Sequence, residues 1–320
     1  MFALRGAAVS LTFFVLLYCF LSALVALAWR GLKLLRVTQR GVAALLFGLR
    51  VLPLAASAVV TFAFVVPSFQ LLEPRSINEG LGVIPFVLGI CAVVLIVWGG
   101  FRVIAAQAKT ARVVARWLEG ARPLNADVAV QEAIEPAAQA VTFRSRRETP
   151  PLTLVGVTKP RVLVSESTVS LLSDDELHIA LKHEFAHMKS RDNLKKLIFR
   201  CCPFPGMAKL ESSWSQAAEL AADDAAVSNL DDAVDLASAL VKLSRLIPVE
   251  SVPVCTVGFV TGSISARVAR LLAWNEGSNA QPRNRSWYLI PAAVAALACV
   301  CVTYGPALAL THEVTEWLVR

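Results

Sequence analysis

Residues Leu181–Leu194 read LKHEFAHMKSRDNL. In an otherwise apolar chain this run places His183 and His187, two of the four histidines, one helical turn apart, with Glu184 directly after the first. Just upstream, Ser173-Asp-Asp-Glu176 has the form of a capping box, in which the serine hydroxyl and the glutamate carboxylate satisfy amides at a helix start. On a helix begun there, residues four apart project about 40° from one another, one turn above the next. That spacing suits two imidazole nitrogens sharing one tetrahedral zinc ion at about 2.0–2.1 Å. Glu184, about 100° round the helix, would sit beside such an ion without ligating it. There it can polarise a bound water and take its proton as general base. Leu177, Leu181, Phe185 and Met188 form the neighbouring apolar face, which predicts a helix pinned against a core.

Zinc needs a third protein ligand and keeps its fourth position open for water. Downstream, WSQAAELAADDAAV (214–227) carries Glu219 and Asp223 four residues apart on one helix face. Glu219, set among alanines and leucine, wants a partner if buried, and it fits as the third ligand. Asp223, one turn on, can accept the second N–H of a ligating histidine; Asp224 is the rival for that place. Candidate donors to a developing oxyanion are fewer. The three tyrosines fall in apolar segments and His178 lies off the ligand face, which leaves Arg267 and Arg270 in SARVARLL (265–272). Arg161, Val162, Leu163 and Val164, the second strand of an expected hairpin, could offer an open edge to an extended peptide.

The chain as a whole is 56% hydrophobic and only 17% charged, which calls for membrane spans. Ala7–Trp29, Leu81–Phe101 and Ser286–Thr311 are long apolar segments without a charge until their ends. Gly41–Leu72 is interrupted by Arg50 and Pro53, yet Val51–Leu72 suffices alone, so Arg50 reads as a residue snorkelling at the membrane edge. The first segment is followed by basic residues, not a small-residue cleavage site, and reads as a retained span. The expected architecture is a mainly α membrane protein. Three transmembrane helices (about 7–29, 45–70 and 81–104) lie in residues 1–106, an α+β domain in 107–285, and a fourth helix with a short tail in 286–320.

The net charge of +7 is concentrated after the first and third spans: Arg30, Lys33, Arg36 and Arg40, then Arg102, Lys109, Arg112, Arg116 and Arg122. By the positive-inside rule both termini lie outside and 107–285 faces the cytoplasm of a multi-pass cell (inner) membrane. Topology and anionic lipid account for the basic excess, so direct nucleic-acid binding is not expected. The seven cysteines include no CxxC and suggest neither a zinc ribbon nor a disulfide framework.

Within 107–285, Gln107–Gly120 continues the third span as a basic amphipathic helix. TFRSRRETPP (142–151) reads as a loop, and LTLVGVTKPRVLVSE (152–166) as a hairpin about a TKP turn. Later helices are expected at Ser213–Asn229, Ala233–Leu246 and Ser265–Ala273, with a turn-rich piece before the last.

HEFAHMKSRDNL, AELAADDAA, GVTKPRVLVSE and SARVARLL, together with the order of the spans, resemble the BlaR/MecR family of integral-membrane metallopeptidases. The resemblance implies a gluzincin-like zinc metalloprotease domain, with His183, His187 and Glu219 as ligands of a single Zn2+ and Glu184 as catalytic base. It also implies a protein substrate, which in the antibiotic-sensing members is a DNA-binding repressor. Those members carry a C-terminal penicillin-sensor domain with an acylated serine in Ser-x-x-Lys. No Ser-x-x-Lys occurs in these 320 residues, so beta-lactam sensing by them is not expected and the trigger stays open; a separate sensor protein is a candidate partner, with the outer loop at Pro67–Gly80 as one place for it to bind. Two other readings stay open: an HtpX-like quality-control protease, and a non-catalytic zinc-binding membrane sensor or scaffold.

Overall fold

A computed structural model describes residues 2–29, 31, 38–74, 82–123, 142–145, 149–201, 203–246, 256–258, 264–275 and 303–316. Three helices in it are long and apolar enough to cross a membrane: α1 (Phe2–Ala28), α2 (Gln39–Leu72) and α3 (Val83–Leu118). All three outrun the expected spans, because helical hydrogen bonding continues beyond the hydrocarbon edge wherever the flanks can be solvated or paired. Arg5 near the start of α1, for instance, meets Glu73 at 3.4 Å. The basic extension of α3 is one piece with its span. At about 1.5 Å per residue, its 36 residues exceed the roughly 30 Å of hydrocarbon. Of the fourth expected span, 286–302 lies outside the described residues; 303–316 is helical.

Small residues let these helices approach one another. A Cβ on Gly89 of α3 would stand 3.6 Å from the Ala8 carbonyl of α1, and Ala92 packs with Phe14 and Val15. The Thr12 hydroxyl donates to the Pro85 carbonyl at 3.0 Å, so a buried polar group finds a partner across the pair. Within α2 a π turn occupies Thr61–Val65, just before Pro67. Pro67 has no N–H to offer the Ala63 carbonyl; the Tyr304 hydroxyl, from the helix 303–316, donates to it at 2.8 Å.

The remaining elements are β1 (Arg122–Pro123), β2 (Thr142–Ser145), β3 (Leu152–Val155), β4 (Arg161–Ser165), α4 (Glu166–Leu171), α5 (Asp174–Ser190), α6 (Asp192–Cys201), α7 (Ala208–Ala226), α8 (Leu230–Ser244), β5 (Thr256–Gly258) and α9 (Ile264–Leu272). The sheet order is β1-β2-β4-β3-β5. The β3–β4 hairpin forms as expected, turning at Gly156 with φ of 88°, a conformation that favours glycine. Two expectations about this sheet are overturned. Thr142–Ser145 is not loop but a strand, parallel to β4. Consequently Val162, Leu163 and Val164 present no open edge, since β2 pairs them on one side and β3 on the other; Arg161, at the strand start, pairs with Val155 of β3.

One core lies between the sheet and α5, α8 and α9, where Leu152, Leu154, Val162 and Val164 meet Leu177, Leu181, Leu236, Leu240 and Leu271. A second core joins α7 to the membrane helices. Met207, Leu210, Trp214, Ala217 and Ala218 pack with Val25, Trp29, Ala43 and Leu46. This docking also corrects the reading of Arg50. It does not snorkel at an interface but is 3% exposed, because α6 and α7 cover that stretch of α2 and supply its partners.

Candidate metal centre

The α5 helix begins with the capping box read from the sequence. Ser173 N–H donates to the Glu176 carboxylate at 2.9 Å, and Glu176 N–H to the Ser173 hydroxyl at 3.3 Å. Ten residues beyond Ser173 the ligand run begins, and His183, Glu184 and His187 are exposed by 0%, 0% and 1%. Across from them α7 presents Glu219 and Asp223, both buried as well. The Nε2 atoms of His183 and His187 face each other at 3.2 Å. Glu219 completes the triangle, with Oε2 3.6 Å from His183 Nε2 and Oε1 3.7 Å from His187 Nε2. Donors bound tetrahedrally at about 2.0–2.2 Å lie roughly 3.3–3.6 Å apart. The triangle therefore has the size of one shared cation.

The outer nitrogens of both histidines meet carboxylates. His187 Nδ1 bonds Asp192 Oδ2 at 2.7 Å, and His183 Nδ1 lies 3.1 Å from Asp223 Oδ1. A carboxylate at Nδ1 favours the tautomer with its proton there, which turns the Nε2 lone pair inward. Two lone pairs and a carboxylate aimed at one buried point repel unless something positive lies among them.

The charge balance says the same. Arg267 is shared: Nε and Nη2 donate to Asp223 at 2.8 and 2.6 Å, and Nη1 donates to Glu219 at 3.0 Å. One guanidinium thus serves two carboxylates. Burial resists ionisation of Glu219, but His187, His183 and Arg267 outweigh it and hold its pKa well below the ordinary range. Burial likewise resists charge on His187, yet Glu219 and Asp192 overcome this and push its pKa up to about 10. His183, His187 and Glu219 fit a metal ion in number, geometry and charge.

Glu184 stands apart from that triangle. Its two carboxylate oxygens are buried without a well-formed hydrogen bond among the described residues, and burial raises its pKa to about 7 although both histidines and the Leu154 backbone pull it down. An unsatisfied buried carboxyl is costly as structure; it suits a group that exchanges a proton near neutrality.

Asp223 and Arg267 thus come to the centre, and Asp224 faces outward. Arg270 pairs with Asp224 at 2.5 Å on the partly exposed rim. Val162–Val164 lie in the interior of the sheet, and Arg161 at the start of β4 pairs with β3 alone. Asp192 was not singled out by sequence reasoning, although the RDN run carries a signal for it: Asp and Asn after a helix end mark a new helix start. Its neighbour Asn193 donates to the Leu154 and Gly156 carbonyls at 3.1 and 3.0 Å, fixing α6 against β3. Elsewhere Glu73, His312 and Glu316 gather at the other end of α2, but the two ring nitrogens of His312 face separate carboxylates and Arg5 already meets Glu73.

Among curated proteins none matches the chain significantly. The family described as BlaR1 peptidase M56 does match, over residues 42–271, a stretch that takes in α2, the sheet, and the helices bearing His183, Glu184, His187 and Glu219. A match over more than half of a chain with three apolar helices and a buried two-histidine, one-glutamate cluster makes it a member of the M56 peptidase family, a membrane metallopeptidase.

Proposed function

We propose that the protein is a zinc-dependent endopeptidase that cuts a cytoplasmic or membrane-proximal protein, with a DNA-binding transcriptional repressor as the substrate of choice. The observation that carries this reading is the buried Glu184 carboxyl beside the converging His183, His187 and Glu219. A structural zinc site is closed by its ligands and has no use for a general base next to it. That weighs against the scaffold reading.

His183, His187 and Glu219 would hold the ion, and zinc bound there would supply Lewis-acid polarisation of the scissile carbonyl and lower the pKa of water. Glu184, with its pKa near 7, takes the proton from the attacking water and delivers it to the leaving amine. Asp192 and Asp223 fix the tautomers of His187 and His183. Arg267 holds Glu219 and Asp223 in place and is the candidate cation beside the developing oxyanion, with Arg270 at the rim. With β4 enclosed, an extended substrate would pair at a sheet margin, and β5, hydrogen-bonded to β3, is the outer strand on the side Asn193 anchors.

The basic residues after α1 and α3 support a cytoplasmic metal centre with both termini outside. The stimulus would then come through the membrane helices or from a separate sensor protein. The test is terminus proteomics on cells expressing wild type or Glu184→Gln. A fragment formed only with wild type, from a repressor, supports the reading. A variant that keeps its zinc while every fragment persists would overturn it. Removal of one general base is expected to lower kcat about 10²- to 10⁴-fold.

A further inference from the structure

Arg50 lies within α2, and a guanidinium inside a span persists only where the protein gives it partners. Its partners come from the helices of the metal centre. Nε donates to Glu211 Oε1 at 2.9 Å, Nη2 lies 2.8 Å from the same oxygen, and Nη2 also donates to the Phe199 carbonyl at 3.2 Å. The Phe199 ring stacks against the guanidinium at 5.6 Å.

Each partner stands on a rigid element that leads to the ligands. Phe199 is in the last turn of α6, where carbonyls lack intrahelical donors and the helix dipole favours a cation. The first residue of that helix is Asp192, which holds His187. Glu211 is in the first turn of α7, and Glu219 follows on the same helix about 12 Å along its axis. Apolar contact alone already docks α7 on α1 and α2 through Trp214 and Leu210. A hydrophobic face tolerates sliding and rotation, whereas a buried guanidinium with defined partners sets a register.

We propose that Arg50 is a positioning residue for the metal centre. It fixes the register of α6 and α7 on the second membrane helix, and so the convergence of His187 and Glu219. A shift of α2 would thereby alter metal affinity and catalysis together. This rests on the reading that His183, His187 and Glu219 bind zinc.

The test uses the full chain in lipid nanodiscs, with zinc affinity read by chelator competition and folding by thermal melting. In Arg50→Met/Glu211→Leu the ion pair is replaced by apolar groups, a change that often leaves stability intact. The expected result is a melting temperature close to wild type with zinc affinity lowered about tenfold, the low end for residues behind metal ligands. Arg50→Lys should recover part of the loss, since an ammonium reaches one partner but not both. Glu211→Gln, at a partly exposed position with little risk to folding, should weaken zinc several-fold, and it decides the matter if the double variant does not fold. Wild-type zinc affinity in folded Glu211→Gln and double variants would overturn the role of Arg50 alone. Failure of wild type to bind zinc would overturn the metal reading and this inference with it.

Discussion

Arg191 ends α5 in the left-handed conformation, with φ of 55°. That single reversal lets Asp192 start the next helix while its carboxylate folds back onto His187 five residues earlier. Lys195 holds the other oxygen of Asp192 at 2.9 Å, so the carboxylate is oriented from both sides. Burial disfavours its charge, but His187 and Lys195 overcome this and keep its pKa below the ordinary range. Asp192→Ala is therefore expected to weaken zinc about 10- to 100-fold, with Asp192→Asn between it and wild type because an amide oxygen still accepts from Nδ1. Chelator competition measures both; unchanged affinity in Asp192→Ala would show that His187 needs no such support. The two histidines, Glu184, Glu219 and Asp223 were legible in the sequence because their spacings, four and four, are helical periods. Asp192 was not, since its place depends on one residue adopting a conformation that neither glycine nor asparagine announces.

Among the elements, those encoded by local signals were the readable ones. The Ser173–Glu176 box starts α5 where it was expected, and the TKP hairpin forms. Strand β2 escaped because TFRS acquires strand geometry only when β4 pairs with it, and that pairing in turn closed the edge expected of β4. Arg50 escaped for a similar reason. Its partners are 161 and 149 residues away in the chain, and no periodicity within a span reports them. Glu176 does a second task that the capping box did not reveal: Lys242 and Ser238 of α8 hydrogen-bond its carboxylate, Lys242 at 2.6 Å, tying α5 to α8. Burial opposes ionisation of Glu176, but Lys242, Ser238 and the Ser173 amide outweigh it and lower its pKa. A carboxyl with a lowered folded pKa adds stability that is complete above its unfolded value, near 4.3, and fades as pH falls through the folded value. Glu176→Gln should cost roughly 1–3 kcal/mol at pH 7, toward the lower figure because Lys242 is partly exposed. The gap from wild type should narrow below about pH 4. Thermal melting at both pH values checks the sign; a gap that widened in acid would contradict it.

At the scale of the molecule, the metal centre and the membrane helices are not separable parts. The α7 helix carries Glu219 and, five residues before it, Trp214 against α1 and α2, so its apolar face is complete only with the spans in place. Trp214 is 1% exposed and meets Phe199 edge-on at 5.0 Å, joining α7, α6 and the spans in one contact. Trp214→Ala in the full chain should cost about 3–5 kcal/mol and loosen zinc, because α7 loses its seat. Trp214→Phe should be far milder, since the indole Nε1 makes no hydrogen bond among the described residues and little but volume is lost. A fragment beginning at residue 142, without the three spans, would expose Met207, Leu210 and Trp214 to water, a contiguous apolar patch that promotes association. Size-exclusion chromatography and zinc titration of that fragment give the decision. Aggregation, or a monomer with greatly weakened zinc, means that the spans are part of the metal-site scaffold. A stable monomer with the zinc affinity of the full chain would mean that α7 holds its ligand geometry unaided, and the membrane helices would then be an anchor and nothing more.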